Sequence, residues 1–307
     1  MATYKEIKGV TVQTLDSDPV LNVGSWSSGG SMNVAKYMFG GNGTQTAALA
    51  SGGVTPAGLN RAESEEYDGS SWTEGNDLNT GRYGNRNSGT QTAALTISGK
   101  TYPPGSSVAN VESYDGSSYT EVGDVNTGRI NAAAFGTSTA SFFVGGDAQP
   151  NSFQSIVESW NGSAWTETTD LNTVRGEGGG AGASNTAALV FAGASPPGIH
   201  ALTESWNGSA WTEVNEMNTG RSAPGSFGTA TSCIAASGYS GGFVENVEIW
   251  NGTSWTEINS MGTDGSNLSA SGSTSAALVF GGNPQPGRGT LTEEWVVEPV
   301  LSIVTVS

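Results

Sequence analysis

Residues 158–167 read ESWNGSAWTE, and residues 204–213 repeat the same ten letters. A catalytic motif is seldom written twice, because one active site needs one set of groups. A structural unit that must be stacked is duplicated routinely. Aligned outward from this stretch, the second aromatic falls at Trp26, Trp72, Tyr119, Trp165, Trp211 and Trp255. The first falls at Tyr67, Tyr114, Trp160, Trp206, Trp250 and Trp295, and successive copies stand 44–47 residues apart.

Other positions keep the same beat. A small apolar segment recurs as TAALASGG (46–53), TAALTISG (92–99), TASFFVGG (139–146), TAALVFAG (186–193), TSCIAASG (231–238) and SAALVFGG (275–282). Ahead of it stands LNTGR (78–82), VNTGR (125–129), LNTVR (171–175) or MNTGR (217–221), degraded to MNVAK (32–36) and MGTDG (261–265). Each unit converts into four short strands: a Gly-rich one after NTGR, an apolar one ending in glycine, and two flanking an Asp-Gly or Asn-Gly pair. Such a pair between alternating segments is a strong hairpin signal, since a two-residue turn needs positive φ at both positions. Four strands per unit is the size of a β-propeller blade.

The two aromatic series are offset, and the offset predicts how the ring closes. In the last copy Trp295 is followed by Val296 and Val297 where other copies turn at Asn-Gly or Asp-Gly. The outer strand of that copy is therefore expected from the N-terminal segment NVGSWSSGG around Trp26, which has no partner of its own. Pairing the chain ends removes the exposed edge between first and last blades. The predicted fold is all-β: a six-bladed propeller over residues 20–295, with an N-terminal extension over 1–19 and a C-terminal β extension over 296–307.

Composition agrees. Gly is 46 of 307 residues and charged residues are 13 %, which excludes a helical solenoid. Nine Trp, eight Tyr and nine Phe are too many aromatics for an unpacked chain. The net charge of −17, with no Lys/Arg cluster, argues against a nucleic-acid partner. Cys233 is the only cysteine, so no disulfide framework or multi-cysteine metal site is expected, and no cofactor motif is present. The start, MATYKEIKGVTVQTLD, has no apolar run of signal-peptide length, and no segment is apolar enough for membrane insertion. Synthesis in a cytoplasm without a visible export signal is the expectation.

These units resemble the kelch-repeat propellers, in which an apolar strand ends in Gly-Gly, an aromatic precedes Asp/Asn-Gly and a Trp follows. The combination of ATYKEIKG (2–9) with near-identical SWNGSAWTE, LNTGR and TAALVFGG units is similar to virion-associated fibre or appendage proteins of marine tailed phages. That second resemblance implies a virion protein, with other virion proteins as partners through the terminal strands.

Candidate chemistry is weighed against structural use. Glu65, Glu112, Glu158, Glu204, Glu248 and Glu293 stand two positions before the first aromatic. Glu74, Glu121, Glu167, Glu213 and Glu257 stand two after the second. Paired carboxylates serve glycosidases as acid and base, but a series spread over every copy points to structure. Buried acids need partners, and Arg82, Arg129, Arg175 and Arg221 recur at a matching frequency, so Glu–Arg or Glu–backbone bonds are expected to fix the blades. His200 is the sole histidine, in the loop ASPPGIHAL (194–202). It has no nucleophile-elbow sequence nearby. Cys233 falls where other copies have Ala or Ser, as a buried inert thiol would.

The loops between the Gly-Gly strand and the next Glu-x-aromatic diverge: 54–62, 100–110, 147–156, 194–202, 239–246 and 283–291. All six emerge on one face of a propeller, and variable loops on a rigid scaffold are where binding resides. Tyr102, Phe153, His200, Phe243 and Arg288 are the predicted contact residues. The expected function is non-enzymatic: a virion surface or appendage protein that binds host-surface glycan. The alternatives are a purely structural capsid or tail decoration protein and a carbohydrate-active enzyme. The apolar tail SIVTVS (302–307) adds a homo-oligomer or a tail-mediated complex to the expected associations.

Overall fold

The computed structural model describes residues 24–297, apart from 104, 149–151 and 285–286. Six four-stranded antiparallel sheets surround an axis, as the repeat predicts. The innermost strands are Gly40–Thr44, Arg86–Thr90, Ala133–Thr137, Gly179–Ser184, Gly225–Thr229 and Ser269–Ser273. Each packs against its two neighbours round the ring, and together they line an axial channel. Within blade 3 the order outward is Ala133–Thr137, Ala140–Val144, Val157–Trp160 and Trp165–Glu167.

Blade 6 closes the ring. Its outermost strand is Gly24–Ser28, paired antiparallel with Thr292–Val297 so that Trp26 lies opposite Trp295. The two indoles stand 5.3 Å apart, Trp295 is fully buried, and Trp26 Nε1 donates to Asn259 O of blade 5 at 3.1 Å. The N-terminal extension expected over 1–19 lies outside the described residues. Of the segment 296–307 only Val296 and Val297 are described, and they continue the third strand of blade 6.

Local chemistry explains the repeat. The second strand is buried along nearly its whole length, between the innermost strand and the third. The Asn-Gly hairpin differs from the two-residue turn expected. Trp160 pairs with Trp165, leaving a four-residue loop, and only its glycine has positive φ (94° at Gly162). Asn161 instead accepts hydrogen bonds through Oδ1 from the amides of Ser163 and Ala164, both at 2.9 Å. A short side-chain acceptor thus satisfies two turn donors, and Asp68 does the same for Ser70 and Ser71.

The Gly-Gly signature also separates into two requirements. The first position is left-handed in every copy but tolerates Ser98, Ala192 and Ser237, at φ of 54–61°. The second is always glycine, with φ of 97–121°. At Gly193 an added Cβ would stand 2.8 Å from Gly176 O, so conformation and space both demand glycine.

Neighbouring blades are tied by aromatics. Where the first aromatic is Tyr rather than Trp, its hydroxyl reaches a glutamate of the preceding blade: Tyr67 to Glu294 at 2.6 Å and Tyr114 to Glu66 at 2.5 Å. Tyr119 shares a hydrogen bond with Ser64 Oγ at 2.8 Å. Burial, and for Tyr67 also the bond to Glu294, pushes the Tyr67 and Tyr119 phenols up to about 12. A pKa raised by folding contributes stability that is complete below the unfolded value of 10.0 and is lost as pH rises through the folded value. Urea midpoints are therefore expected to hold up to about pH 10 and fall towards about pH 12, with a shallower fall in a Tyr67→Phe/Tyr119→Phe variant.

Candidate functional site

The first glutamate series is the anchor of the loop face. Each carboxylate, on the third strand of its blade, receives the connection arriving from the blade before. Glu158 Oε2 accepts from Asn126 N at 2.6 Å, Glu112 from Asn79 N at 2.7 Å and Glu248 from Asn218 N at 2.7 Å. A cation then closes each cluster: Lys36 on Glu65 at 3.2 Å, Arg82 on Glu112 at 3.1 Å, Arg129 on Glu158 at 2.6 Å and Arg221 on Glu248 at 2.6 Å. Arg175 pairs with Glu204 in the same way. All five of these pairs are buried. Burial pushes each cation's pKa down and the neighbouring carboxylate pushes it back up.

Blade 6 obtains its cation from elsewhere. The NTGR arginine is absent there, the register position being Gly265, and Arg288 comes in from the variable loop to reach Glu293 Oε1 at 2.9 Å. Its side chain fills the space beside Gly265, where a Cβ would stand 2.3 Å from Arg288 Cδ. Arg288 is 1 % exposed, so the expectation that it contacts a ligand is corrected: the buried carboxylate claims it. The second glutamate series differs too. Glu74, Glu121, Glu167, Glu213 and Glu257 are exposed on the outermost strands, because nothing packs outside a blade. Two of them accept from an asparagine, Glu121 from Asn110 and Glu257 from Asn246.

The connections and variable loops do share one face. Bridges join them blade by blade: Tyr37 with Val54, Tyr83 with Lys100, Ile130 with Asp147, Gly176 with Ala194, Ser222 with Tyr239 and Ser266 with Asn283. One residue further on, Met38, Gly84, Asn131, Glu177, Ala223 and Asn267 all have positive φ, between 50° and 68°. Each donates its amide to the carbonyl of its counterpart in the preceding blade, at 2.6–3.1 Å, so six hydrogen bonds form a closed circle round the axis. Five of these six are not glycine, and nothing in their side chains announces the role. The circle repays backbone strain of about 1–3 kcal/mol per residue.

Around this circle the predicted contact residues separate. Tyr102 is 67 % exposed and Phe243 38 %, the latter set edge-on against Tyr239 at 5.8 Å. Phe153 is half-buried over Gly176. His200 Nε2 and Ser195 Oγ share a hydrogen bond of 2.7 Å, and burial and the Arg175 charge lower the imidazole's pKa. A nucleophile–base pair has this contact, but among the described residues no carboxylate orients the other ring nitrogen, the third element of a triad. Cys233 is buried, and burial pushes its thiol up, consistent with an inert core position.

A cleft of about 270 Å3 lies between the loops of blades 1 and 2. Tyr37, Tyr83 and Tyr102 line it with Asn60. Asn60 Nδ2 donates to Tyr102 O at 3.0 Å and holds that loop against its neighbour. No hydrogen bond engages the three phenol hydroxyls among the described residues. Tyr37 and Tyr83 escaped the sequence reading because they lie in the connections, next to the NTGR motif, rather than in the divergent loops.

No family model and no curated protein sequence matches the chain. Among solved structures, the one titled "Structure of YjhT" is similar, with a TM-score of 0.71 at 11 % identity. The match covers 88 % of this chain and 96 % of that one. The chain is a six-bladed, kelch-like β-propeller structurally like YjhT, and at that identity the likeness extends to the fold alone.

Arg288→Ala is expected to lower unfolding free energy by about 3–5 kcal/mol, because it strands a buried carboxylate, while leaving any loop-face binding of the folded protein unchanged. Urea unfolding beside a binding titration checks both halves.

Proposed function

We propose that this chain is a non-enzymatic binding propeller that presents its loop face to surface carbohydrate, as an appendage or surface protein of a virion. One observation carries the binding reading. Every large apolar side chain exposed among the described residues (Leu59, Tyr102, Val174, Ile199, Tyr239 and Phe243) belongs to the variable loops or connections of a single face. Exposed apolar groups gathered on one face mark an interaction site.

The chemistry of the tyrosine cleft favours sugar. A pyranose offers a C–H face that packs on aromatic rings and hydroxyls that pair with phenol O–H groups, each both donor and acceptor. The volume lies near the lower end of small-ligand pockets, about 300 Å3. The lining holds no charged residue, which suits a neutral polymer. The buried glutamates are engaged by amides and guanidinium groups of their own clusters, which speaks against their use as a glycosidase acid and base. The virion assignment rests on the resemblance to phage propellers, with the terminal segments as the attachment to other virion proteins.

Full-length protein tested against host-surface polysaccharides by calorimetry should bind without releasing reducing ends. Tyr102→Ala combined with Tyr83→Ala should weaken binding by about a hundredfold, near 2.7 kcal/mol, with an unchanged melting profile. Binding indifferent to these substitutions would remove the cleft as the site. Absence of binding altogether would favour a decoration role, and sugar release would favour an enzyme.

A further inference from the structure

The loop-face half of the axial channel contains a cavity of about 60 Å3, lined by residues of the backbone circle and by the innermost strands. Five blades set a small residue at the first position of the innermost strand: Gly40, Ala133, Gly179, Gly225 and Ser269. Blade 2 alone sets an arginine there, Arg86, in the matching register. Of these six positions Arg86, Ala133 and Ser269 line the cavity, and only Arg86 brings a charge to it.

Arg86, half-buried, is unlike the buried cations. Lys36, Arg82, Arg129, Arg175, Arg221 and Arg288 each meet a carboxylate. Among the described residues the Arg86 side chain makes one hydrogen bond, Nη1 to Asn85 O at 3.0 Å, and no ion pair. A guanidinium carries five N–H donors in a planar fork, so most of its donors remain for the cavity. Burial lowers its pKa to about 10, with Glu177 opposing the shift, so it stays charged at neutral pH. The innermost strand of each blade is a sheet edge, whose alternate amides are not used in the ladder. Gly180 N turns this way and donates to Ser226 Oγ at 3.1 Å across the blade boundary.

We propose that this cavity binds one small oxyanion, a carboxylate or phosphate group, held by the Arg86 fork and by inward amides of the innermost strands. A site where about 10–15 Å3 admits a single water has room at 60 Å3 for such a group. A planar fork matches two oxygens of a carboxylate or phosphate. The site is separate from the tyrosine cleft and stands or falls independently of it.

The test is thermal unfolding of the full-length chain in inorganic phosphate, in acetate and in chloride at equal ionic strength. The melting temperature of the unsubstituted protein should rise with phosphate or acetate in a saturable way. A response to phosphate identifies a phosphate group as the occupant, and one to acetate a carboxylate. Arg86→Gln should weaken the response at least tenfold, and Arg86→Lys, which keeps the charge without the fork, should retain part of it. Tyr102→Ala should leave it intact. No saturable response in the unsubstituted protein, or equal responses in it and both Arg86 variants, would overturn the proposal.

Discussion

A carboxylate buried away from water must be met by donors, and this propeller uses that requirement once in every blade. In blades 1 to 5 the third-strand glutamate collects two backbone amides of the incoming connection and then a cation, as Glu158 does with Asn126, Thr127 and Arg129, and in blade 6 Glu293 takes the amide of Gly262 and Arg288. A buried charge left without partners costs several kcal/mol, so only one placement of the connection is tolerated. The placement fixes where the next innermost strand begins. The loop face inherits its rigidity from these clusters.

The need for a cation outlasts the motif that usually supplies it. Blade 1 uses Lys36 in place of arginine, and blade 6 brings Arg288 in from a loop while leaving Gly265 small enough to admit it. Two further devices close the ring. The Trp26–Trp295 strand pair completes the last sheet from both ends of the chain, and the circle of amide–carbonyl bonds passes through all six connections. Five non-glycine residues accept left-handed backbone to complete that circle, a local cost met by a global constraint.

Much of this was legible in the sequence. The 44–47-residue beat and the missing turn after Trp295 predict blade number and closure, because both are statements about strand order. The matched frequencies of glutamate and arginine predict the pairs. Arg288 was hidden because a loop residue has no register, although the vacant cationic position at Gly265 was a signal that another cation was needed. The exposed Glu74 series shared its period with the buried one, and period cannot tell an edge strand from an inner one. The backbone circle left no trace, since Met, Gly, Asn, Glu and Ala all occupy it. The tyrosine cleft depends on two connections and a loop meeting in space, which no single repeat records.

The most direct measurement is a double-mutant cycle on Arg129 and Glu158, read by urea unfolding. Each truncation to an apolar residue should cost about 3–5 kcal/mol alone, and the pair together clearly less than the sum, since removing both leaves no stranded charge. Small, additive losses would contradict the claim that the buried pairs fix the blades.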